Sequence, residues 1–317
     1  MQAQIVTITD EASGATARIL ASLGFNCFSW RPALDDGPRE MIWAHPEFAG
    51  GEERPSGSGV PLLFPFPGRI AGARYNFGGR EYALEPGDNF GNAIHGFVLK
   101  RAWRVVEQTA SRVVGEFHAS RDDRTILERW PADFRIRVSY EVRGRELVSD
   151  IRYENVGDGP LPCGFGTHTY FRLPLGEGGS AEETIATVPV SRYWDLAEMI
   201  PTGQQSAVTP EQMLDGKKPL GGRAFDTTFT GLAHDSTGVV RTELADPRRG
   251  RRVLQTFDKV FAQCVVYTPP HREAFCMEPY TCVPNAIKLH SAGVETGLQI
   301  LQPGQSFATT IRIAVSG

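Results

Sequence analysis

Five polar residues, spread along most of the chain, have the side-chain chemistry expected of a small-molecule site. Carboxylates and imidazoles exchange protons near neutral pH, with usual pKa values of about 4.3 for glutamate and about 6.5 for histidine. Each of the five lies beside glycine, proline or aromatic residues at the predicted end of a strand. They are Arg69, His95, His168, Asp226 and Glu278. Their types predict acid–base chemistry supported by polar binding groups.

The stretch around Glu278 is the most informative part of this set. Apolar residues lead into Glu278, Pro279 follows at once, and Pro284 comes shortly afterwards. Proline cannot donate into a central ladder, and an ionised carboxylate loses its water in a buried strand. We therefore expect the strand to end at Glu278 and to hold the carboxylate at the rim of a sheet. The structural alternative is a charged residue that begins a loop.

Taken singly, the other four residues also have structural interpretations. His95 could be a loop histidine bonded to backbone, and His168, between aromatic residues, could belong to the core. Arg69 could lie in a solvated turn after Gly68, and Asp226 could cap a turn. The tryptophans, including Trp43, are interpreted as core residues. The remaining histidines have no sequence context that marks them as functional.

Alternating apolar residues predict the strands that must position these groups. The clearest pattern runs from Phe134 to Val142, where every second residue is apolar, as in a half-buried antiparallel strand. Hairpins are predicted through Gly78 and Gly79 and through residues 246–250. The 34 glycines and 22 prolines indicate many turns and short strands rather than long helices. We expect an all-β fold.

No composition shift marks a domain boundary. The best candidate for a linker, residues 49–59, is rich in glycine and serine but too short to separate two domains. It is predicted to be a flexible surface connection. We find no internal repeat. We therefore expect residues 1–317 to form a single β domain.

Charge, hydropathy and cysteine spacing exclude several classes of protein. The formal net charge is −4 with a pI of about 6.0, and no basic face indicates nucleic-acid binding. No apolar run approaches the roughly 18 residues of a membrane span, and Met1–Val6 lacks the pattern of a leader. A cytoplasmic protein is expected. Five scattered cysteines without a CxxC pair argue against a disulfide framework and against a zinc site.

The motifs of most cofactor-dependent enzymes are missing from the sequence. It contains no GxxxxGK[ST] phosphate loop, no glycine-rich dinucleotide turn, and no HExxH or other histidine pair at metal spacing. No GxSxG segment supplies a serine nucleophile. These absences remove phosphate-loop, dinucleotide-binding, zinc-dependent and serine-nucleophile enzymes from consideration.

Five short motifs follow one another along the chain: Pro-Gly-Arg-Ile, Asn-Ala-Ile-His-Gly, Gly-Thr-His-Thr-Tyr-Phe, Phe-Asp-Thr-Thr-Phe and Cys-Met-Glu-Pro. Their order resembles the aldose 1-epimerase (galactose mutarotase) family. The resemblance extends from about residue 5 to about residue 315 and includes the Pro-Gly-Gln segment before the last strand. It implies a galactose mutarotase-like supersandwich, a large antiparallel β-sandwich, in agreement with the strand pattern.

The resemblance also implies a role for each of the five polar residues. Glu278 would be the general base, and His168 the general acid, of an isomerase that interconverts the anomers of an aldohexose. His95 would bind and polarise the sugar, and Arg69 and Asp226 would bond its hydroxyls. No metal or cofactor is implied. The sugar would be the partner, and the protein would be a monomer or a homodimer.

In this interpretation Glu278 and His168 work as an oppositely charged pair. Ionised glutamate and protonated histidine coexist between their usual pKa values. Their mutual attraction is expected to widen that pH window.

Some positions near the presumed sugar depart from the common family pattern. Gly68 precedes Arg69 where many members have asparagine, and Thr167 stands where many have tryptophan or asparagine. Thr281 and Val283 differ from the glutamine and aromatic residues of the well-characterised galactose-active enzymes. The preferred aldose is therefore left open.

Three other functions fit parts of the pattern. One is a hexose-6-phosphate 1-epimerase, whose phosphate would need a cationic pocket. The candidate cations are Arg69, Arg74, Lys100 and Arg101. Another is a carbohydrate-binding protein on the same scaffold without turnover. A third is a glycoside-processing enzyme with Asp226 and Glu278 as paired carboxylates, although this leaves both histidines without a role.

Overall fold

Antiparallel strands are the main secondary structure of the protein, whose computed structural model describes residues 3–317. Met1 and Gln2, the start of the segment considered for a leader, lie outside the described residues. The first part of the chain forms β1 (Ile5–Asp10), β2 (Ala15–Leu20), β3 (Asn26–Arg31), β4 (Leu62–Leu63), β5 (Arg69–Ile70), β6 (Arg74–Phe77), β7 (Arg80–Ala83), β8 (Ala93–Ile94), β9 (Arg104–Gln108), β10 (Arg112–His118), α1 (Ala119–Asp122), α2 (Ile126–Arg129), β11 (Phe134–Arg143) and β12 (Glu146–Asn155). The second part forms β13 (Leu161–Cys163), β14 (Gly166–Thr167), β15 (Tyr170–Arg172), β16 (Ile185–Thr187), β17 (Arg192–Ala197), β18 (Ile200–Ala207), β19 (Asp215–Pro219), β20 (Asp226–Thr230), β21 (Val239–Asp246), β22 (Arg251–Asp258), β23 (Gln263–Tyr267), β24 (Ala274–Tyr280), α3 (Ala286–Ser291), β25 (Gln299–Leu301) and β26 (Ser306–Ser316).

Two large sheets dominate the architecture. The larger has nine strands in the order β19-β16-β21-β22-β26-β12-β11-β10-β9. The other has eight, in the order β18-β17-β20-β23-β24-β14-β4, with β15 also paired to β24. Buried side chains of both sheets form one hydrophobic cluster, and the Gln255 amide of β22 donates to the Met277 carbonyl of β24 at 3.1 Å. The predicted all-β antiparallel sandwich is confirmed.

The strands that were predicted by alternation are observed. β11 begins at Phe134 and extends one residue beyond Val142, with its apolar side chains buried. It pairs with β12 along its whole length. The hairpins through Gly78 and Gly79 and through residues 246–250 are also present. Alternation predicts such strands well because one face meets the core and the other meets solvent.

β24 differs from its prediction because both of its faces are buried. It runs from Ala274 to Tyr280, so Glu278 lies inside a strand rather than at its end. On one side β23 pairs with β24 from Cys276 to Tyr280. On the other side the ladder is interrupted between β14, which reaches Tyr280, and β15, which reaches Cys276. Pro279, which has no N–H to donate, lies opposite that interruption, and this is why the strand tolerates it.

Residues 49–59 are tied to the rest of the fold, contrary to the flexible connection predicted for them. The Asn26 side chain donates to the Ser58 carbonyl at 2.9 Å and accepts from the Val60 N–H at 2.8 Å. The Tyr170 hydroxyl donates to the Ser56 carbonyl at 2.9 Å. These bonds hold the segment beside the eight-stranded sheet, because Tyr170 belongs to β15.

Helices contribute little to residues 3–317. The longest, α3, has six residues. Within the described chain, no helix has both the length and the apolar character needed to cross a membrane. All five cysteines are free and buried, which agrees with their scattered spacing.

Candidate active site

A cavity of about 320 Å³ opens on the outer face of the eight-stranded sheet. Side chains alternate along a strand, so every second residue of several strands faces this cavity while the residues between them enter the core. The strand residues facing it are Asp226 and Thr228 of β20, Val265 and Tyr267 of β23, Glu278 and Tyr280 of β24, Tyr170 of β15, and His168 just before β15. Other residues in its walls include Arg69, at the start of β5, and the loop residues Arg54, Gly68, His95 and His271. All five predicted residues therefore line a single cavity.

The strand register brings Glu278 and His168 face to face. Two register pairs flank them on this side of β24. The pairs are Gly166 with Tyr280 and Tyr170 with Cys276. Continuing the same register places His168 opposite Glu278, and the distance from His168 Nε2 to Glu278 Oε1 is 3.3 Å. The sheet therefore supplies a histidine–carboxylate pair at the cavity floor.

The Glu278 carboxylate is fixed through one of its oxygens. The residue is only 1% exposed, and the Tyr280 hydroxyl donates to Oε2 at 2.6 Å. Tyr280 can do this because it lies two residues further along the strand, on the same face. Oε1 has no hydrogen-bond partner among the described residues and lies toward His168. This second oxygen is available for proton exchange.

The His168 ring is oriented by stacking. It lies parallel to the Tyr170 ring, with centroids 4.6 Å apart and planes 2° apart. The His95 ring meets it edge-on with centroids 5.8 Å apart. These contacts leave Nε2 facing the Glu278 carboxylate, so the approach of the two groups is preorganised.

Burial shifts the pKa values of both partners toward their neutral forms. It lowers the pKa of His168 to about 3 and raises the pKa of Glu278 well above its usual value. The expected widening of the charged window is therefore wrong, because the loss of water on burial is the largest influence on the pKa of both groups. A second proton is disfavoured on His168, and the last proton is hard to remove from Glu278. The pair consequently holds one proton over a wide pH range.

His95 is presented by a turn with an unusual backbone conformation, its φ being +65°. Its N–H donates to the Gly68 carbonyl at 2.8 Å, and the Gly68 N–H donates to His95 Nδ1 at 3.3 Å. Burial, and then the neighbouring His168, hold the pKa of His95 well below its usual value, so the ring is neutral. Because Nδ1 accepts a hydrogen bond, the ring proton lies on Nε2. His95 therefore offers a neutral N–H donor.

Gly96 lets this turn approach the segment that follows β4. Its φ is +73°, and a Cβ there would lie 2.1 Å from the Phe64 carbonyl oxygen. Gly91 is a matched control, since its φ is +78° but its Cβ would meet open space. We expect Gly91→Ala to lower the free energy of unfolding by about 1–2 kcal/mol, the cost of the left-handed conformation alone. Gly96→Ala should lower it by at least about 2 kcal/mol more.

Urea denaturation followed by circular dichroism measures both losses. Equal losses in the two variants would show that the Phe64 carbonyl shifts away without cost.

Arg69 and Asp226 lie at strand ends, as predicted. Arg69 begins β5 and its Nε donates to Asp88 at 2.9 Å, which fixes the guanidinium. Asp226 begins β20, and desolvation raises the pKa of its carboxyl even though the residue is exposed at the cavity edge. β23 separates Asp226 from Glu278, so their backbones lie roughly 10 Å apart across the sheet. This arrangement does not favour the carboxyl separation of about 5–5.5 Å that retaining glycosidases use.

The sequence analysis missed several side chains of the cavity wall. Tyr170 and Tyr280 each follow a predicted site residue by two positions, so strand alternation would have found them. Trp43 is buried, as interpreted, but it also lines the cavity, where its ring stacks on His271 with centroids 4.0 Å apart. Arg54 comes from the loop before β4, and no spacing rule connects it with the other residues.

Three buried side chains near the cavity floor have ligand atoms close enough to hold a metal ion. The ligand atoms of His168, Cys276 and Glu278 lie within 4.8 Å of one another. A cysteine binds metal as thiolate. Burial raises the pKa of the Cys276 thiol well above its usual value. The arrangement therefore suits a proton-exchanging pair beside a protonated thiol better than it suits a metal centre.

Known proteins match this chain over most of its length. The family model described as aldose 1-epimerase matches residues 4–314. Two Escherichia coli K12 proteins described as uncharacterized, YihR and YphB, are 25% and 24% identical to it over 80% of this chain, and the matches cover 78% and 82% of their own lengths. A galactose mutarotase-like protein from Clostridium acetobutylicum superimposes with a TM-score of 0.86 at 20% identity, covering 100% of this chain and 99% of its own. The GalM/aldose epimerase homologue from C. elegans superimposes with a TM-score of 0.80 at 17% identity, covering 99% of each chain.

Proposed function

Because the chain belongs to the aldose 1-epimerase family, we propose that it interconverts the α and β anomers of an aldose by acid–base ring opening. The observation that carries the proposal is the buried pair of Glu278 and His168, 3.3 Å apart at the floor of the cavity. Anomer exchange needs one proton acceptor and one proton donor close to the same acetal carbon. A pair that holds a single proton supplies both.

The reaction divides into ring opening and ring closure. In opening, the Glu278 carboxylate takes the proton of the C1 hydroxyl, the C1–O5 bond breaks, and protonated His168 gives a proton to O5. The aldehyde then rotates about the C1–C2 bond. In closure, O5 attacks the other face of C1, His168 takes back the O5 proton, and Glu278 returns a proton to O1.

The direction of the pKa shifts suits the ring-opened state. After opening, Glu278 is protonated and His168 is neutral, which are the forms that burial favours. Sugar hydroxyls at the floor would replace part of the missing water and make the charged tautomer accessible for opening. The charged tautomer (ionised Glu278 with protonated His168) and the neutral one (protonated Glu278 with neutral His168) differ by the transfer of one proton between the two side chains.

The other predicted residues would bind and polarise the sugar. His95 would donate its Nε2–H to a sugar oxygen, since its Nδ1 is engaged by the Gly68 N–H. Arg69, held by Asp88, and Asp226 would bond ring hydroxyls from the cavity edge. A neutral donor such as His95 stabilises a developing oxyanion without competing for the proton of the pair.

Optical rotation provides the direct test of the proposal. Purified protein should accelerate the decay of freshly dissolved α-D-glucose or α-D-galactose toward anomeric equilibrium, beyond the spontaneous rate. A carbohydrate-binding protein without turnover would bind one of these sugars by calorimetry and leave the decay unchanged.

The pH dependence of the rate offers an independent check. A free histidine would protonate near pH 6.5, whereas burial lowers the pKa of His168 to about 3. Burial also raises the pKa of Glu278 well above its usual value, so neither group titrates where its free form would. We expect the kcat/KM of mutarotation to show no step near pH 6.5, where a free histidine would titrate. A clear inflection near pH 6.5 that depends on His168 would contradict this expectation.

A further inference from the structure

We infer that Arg54 recognises an anionic substituent of the substrate, so that the protein acts on an acidic aldose rather than on an uncharged one. This inference rests on the proposed function and specifies its substrate class. The candidate substrates are sugar phosphates, sugar sulfates and uronates, which all carry a group of negatively charged oxygens.

The first support is the way in which Arg54 is held. Its Nε donates to the Ser56 hydroxyl at 3.0 Å, and Ser56 is itself buried and lines the cavity. The Ser56 carbonyl accepts the Tyr170 hydroxyl, and the Tyr170 ring stacks on His168. The loop is therefore anchored to the group that orients the histidine, and Arg54 is carried to the cavity wall.

The second support is the difference in pairing between the two arginines that line the cavity. Arg69 also lines the cavity, but Asp88 pairs with its Nε at 2.9 Å. Arg54 forms no ion pair with any carboxylate of residues 3–317, so its terminal nitrogens remain available to a ligand. Its positive charge is close enough to His95 and His168 to lower the pKa of both rings, although burial is the larger cause. A bound anion would offset this charge.

The third support comes from the other cations that the sequence offered for a phosphate. Arg74 is paired with Glu81 at 3.1 Å, and Arg101 is paired with Asp123 at 2.6 Å. Neither lines the cavity, and Lys100 lines a different one. Of the four candidate cations, Arg69 is the one that lines this cavity. The anion-binding role falls to Arg54, whose planar guanidinium can bond two oxygens of a phosphate or carboxylate at once.

The test compares four sugars that differ in charge and in geometry: glucose, glucose 6-phosphate, glucose 6-sulfate and glucuronate. Anomer exchange at equilibrium is measured by NMR exchange spectroscopy, and binding by calorimetry. For at least one anionic sugar, we expect a kcat/KM about 10- to 100-fold above that of glucose, the range for a charge-assisted hydrogen bond. Arg54→Gln should lower this ratio at least about tenfold, and Arg54→Lys, which keeps the charge but not the planar fork, should lower it less. Arg124→Gln, which removes an exposed arginine outside the cavity, should leave the ratio unchanged.

Two results would overturn the inference. One is a wild-type protein that exchanges or binds glucose as well as it does every anionic sugar. The other is an Arg54→Gln protein in which all four sugars lose the same factor, which indicates a structural role for the loop. Tighter anion binding that depends on Arg54, without turnover of any sugar, would support anion recognition by Arg54 and refute the proposed function. Turnover of these sugars without a preference for the anionic ones would support the proposed function and refute the inference.

Discussion

Replacing Glu278 with glutamine is expected to lower the catalysed rate of mutarotation by about 10²–10⁴-fold, the usual contribution of a proton-transfer group. Glutamine has nearly the same shape, and its amide oxygen can still accept the Tyr280 hydroxyl that bonds Oε2 in the wild type. It cannot take up the C1 hydroxyl proton, because an amide is not a base near neutral pH. Sugar binding should therefore survive while the proton transfer is lost.

Polarimetry, with the spontaneous rate subtracted, measures the loss, and calorimetry shows whether binding persists. Glu211→Gln is a matched control, because it makes the same change at an exposed residue outside the cavity. A Glu278→Gln protein with near-wild-type rates would assign the base to another group. A protein that no longer binds sugar would indicate that Glu278 mainly contacts the ligand.

His168→Phe is expected to reduce the rate by a similar factor of about 10²–10⁴. Phenylalanine can keep the parallel packing on Tyr170 but has no ring nitrogen to exchange a proton with O5. Because Glu278 is held in its neutral form by burial, the loss of the imidazole should not leave a buried charge unpaired. His290→Phe makes the same replacement at an exposed histidine and should keep full activity.

The double variant of Glu278→Gln and His168→Phe tests whether the two residues act as a unit. They share one proton across a 3.3 Å contact, so removing the second partner should cost little after the first has been lost. The rate of the double variant should lie close to that of the slower single variant. Losses that multiply would show that each residue works independently of the other.

The difference between β11 and β24 shows what local sequence can predict in this fold. β11 has one face in the core and one toward solvent, so its alternating residue types reveal it. β24 is buried on both faces, which removes alternation as a signal. Pro279 argued against a strand there. The gap between β14 and β15 that accommodates it depends on pairing with residues more than a hundred positions away.

The candidate site was predictable to the extent that its residues sit in recognisable local contexts. Arg69, His95, His168, Asp226 and Glu278 were all found from such contexts, and all line the cavity. Arg54 was not, because its loop resembles any polar surface connection in composition. The ionisation of the central pair was also misjudged, since the loss of water that sets it depends on packing that no local pattern records.

The alternation of side chains along the strands of the cavity floor also makes the floor harder to change by substitution than the walls. Met277 is buried in the core between Cys276 and Glu278, so a floor residue cannot be shifted without moving the core with it. The walls include residues from segments outside the strands of the two large sheets, among them Arg54, His95 and His271. Substitutions in these wall segments could therefore change which ligand the cavity accepts while the contact between Glu278 and His168 is kept.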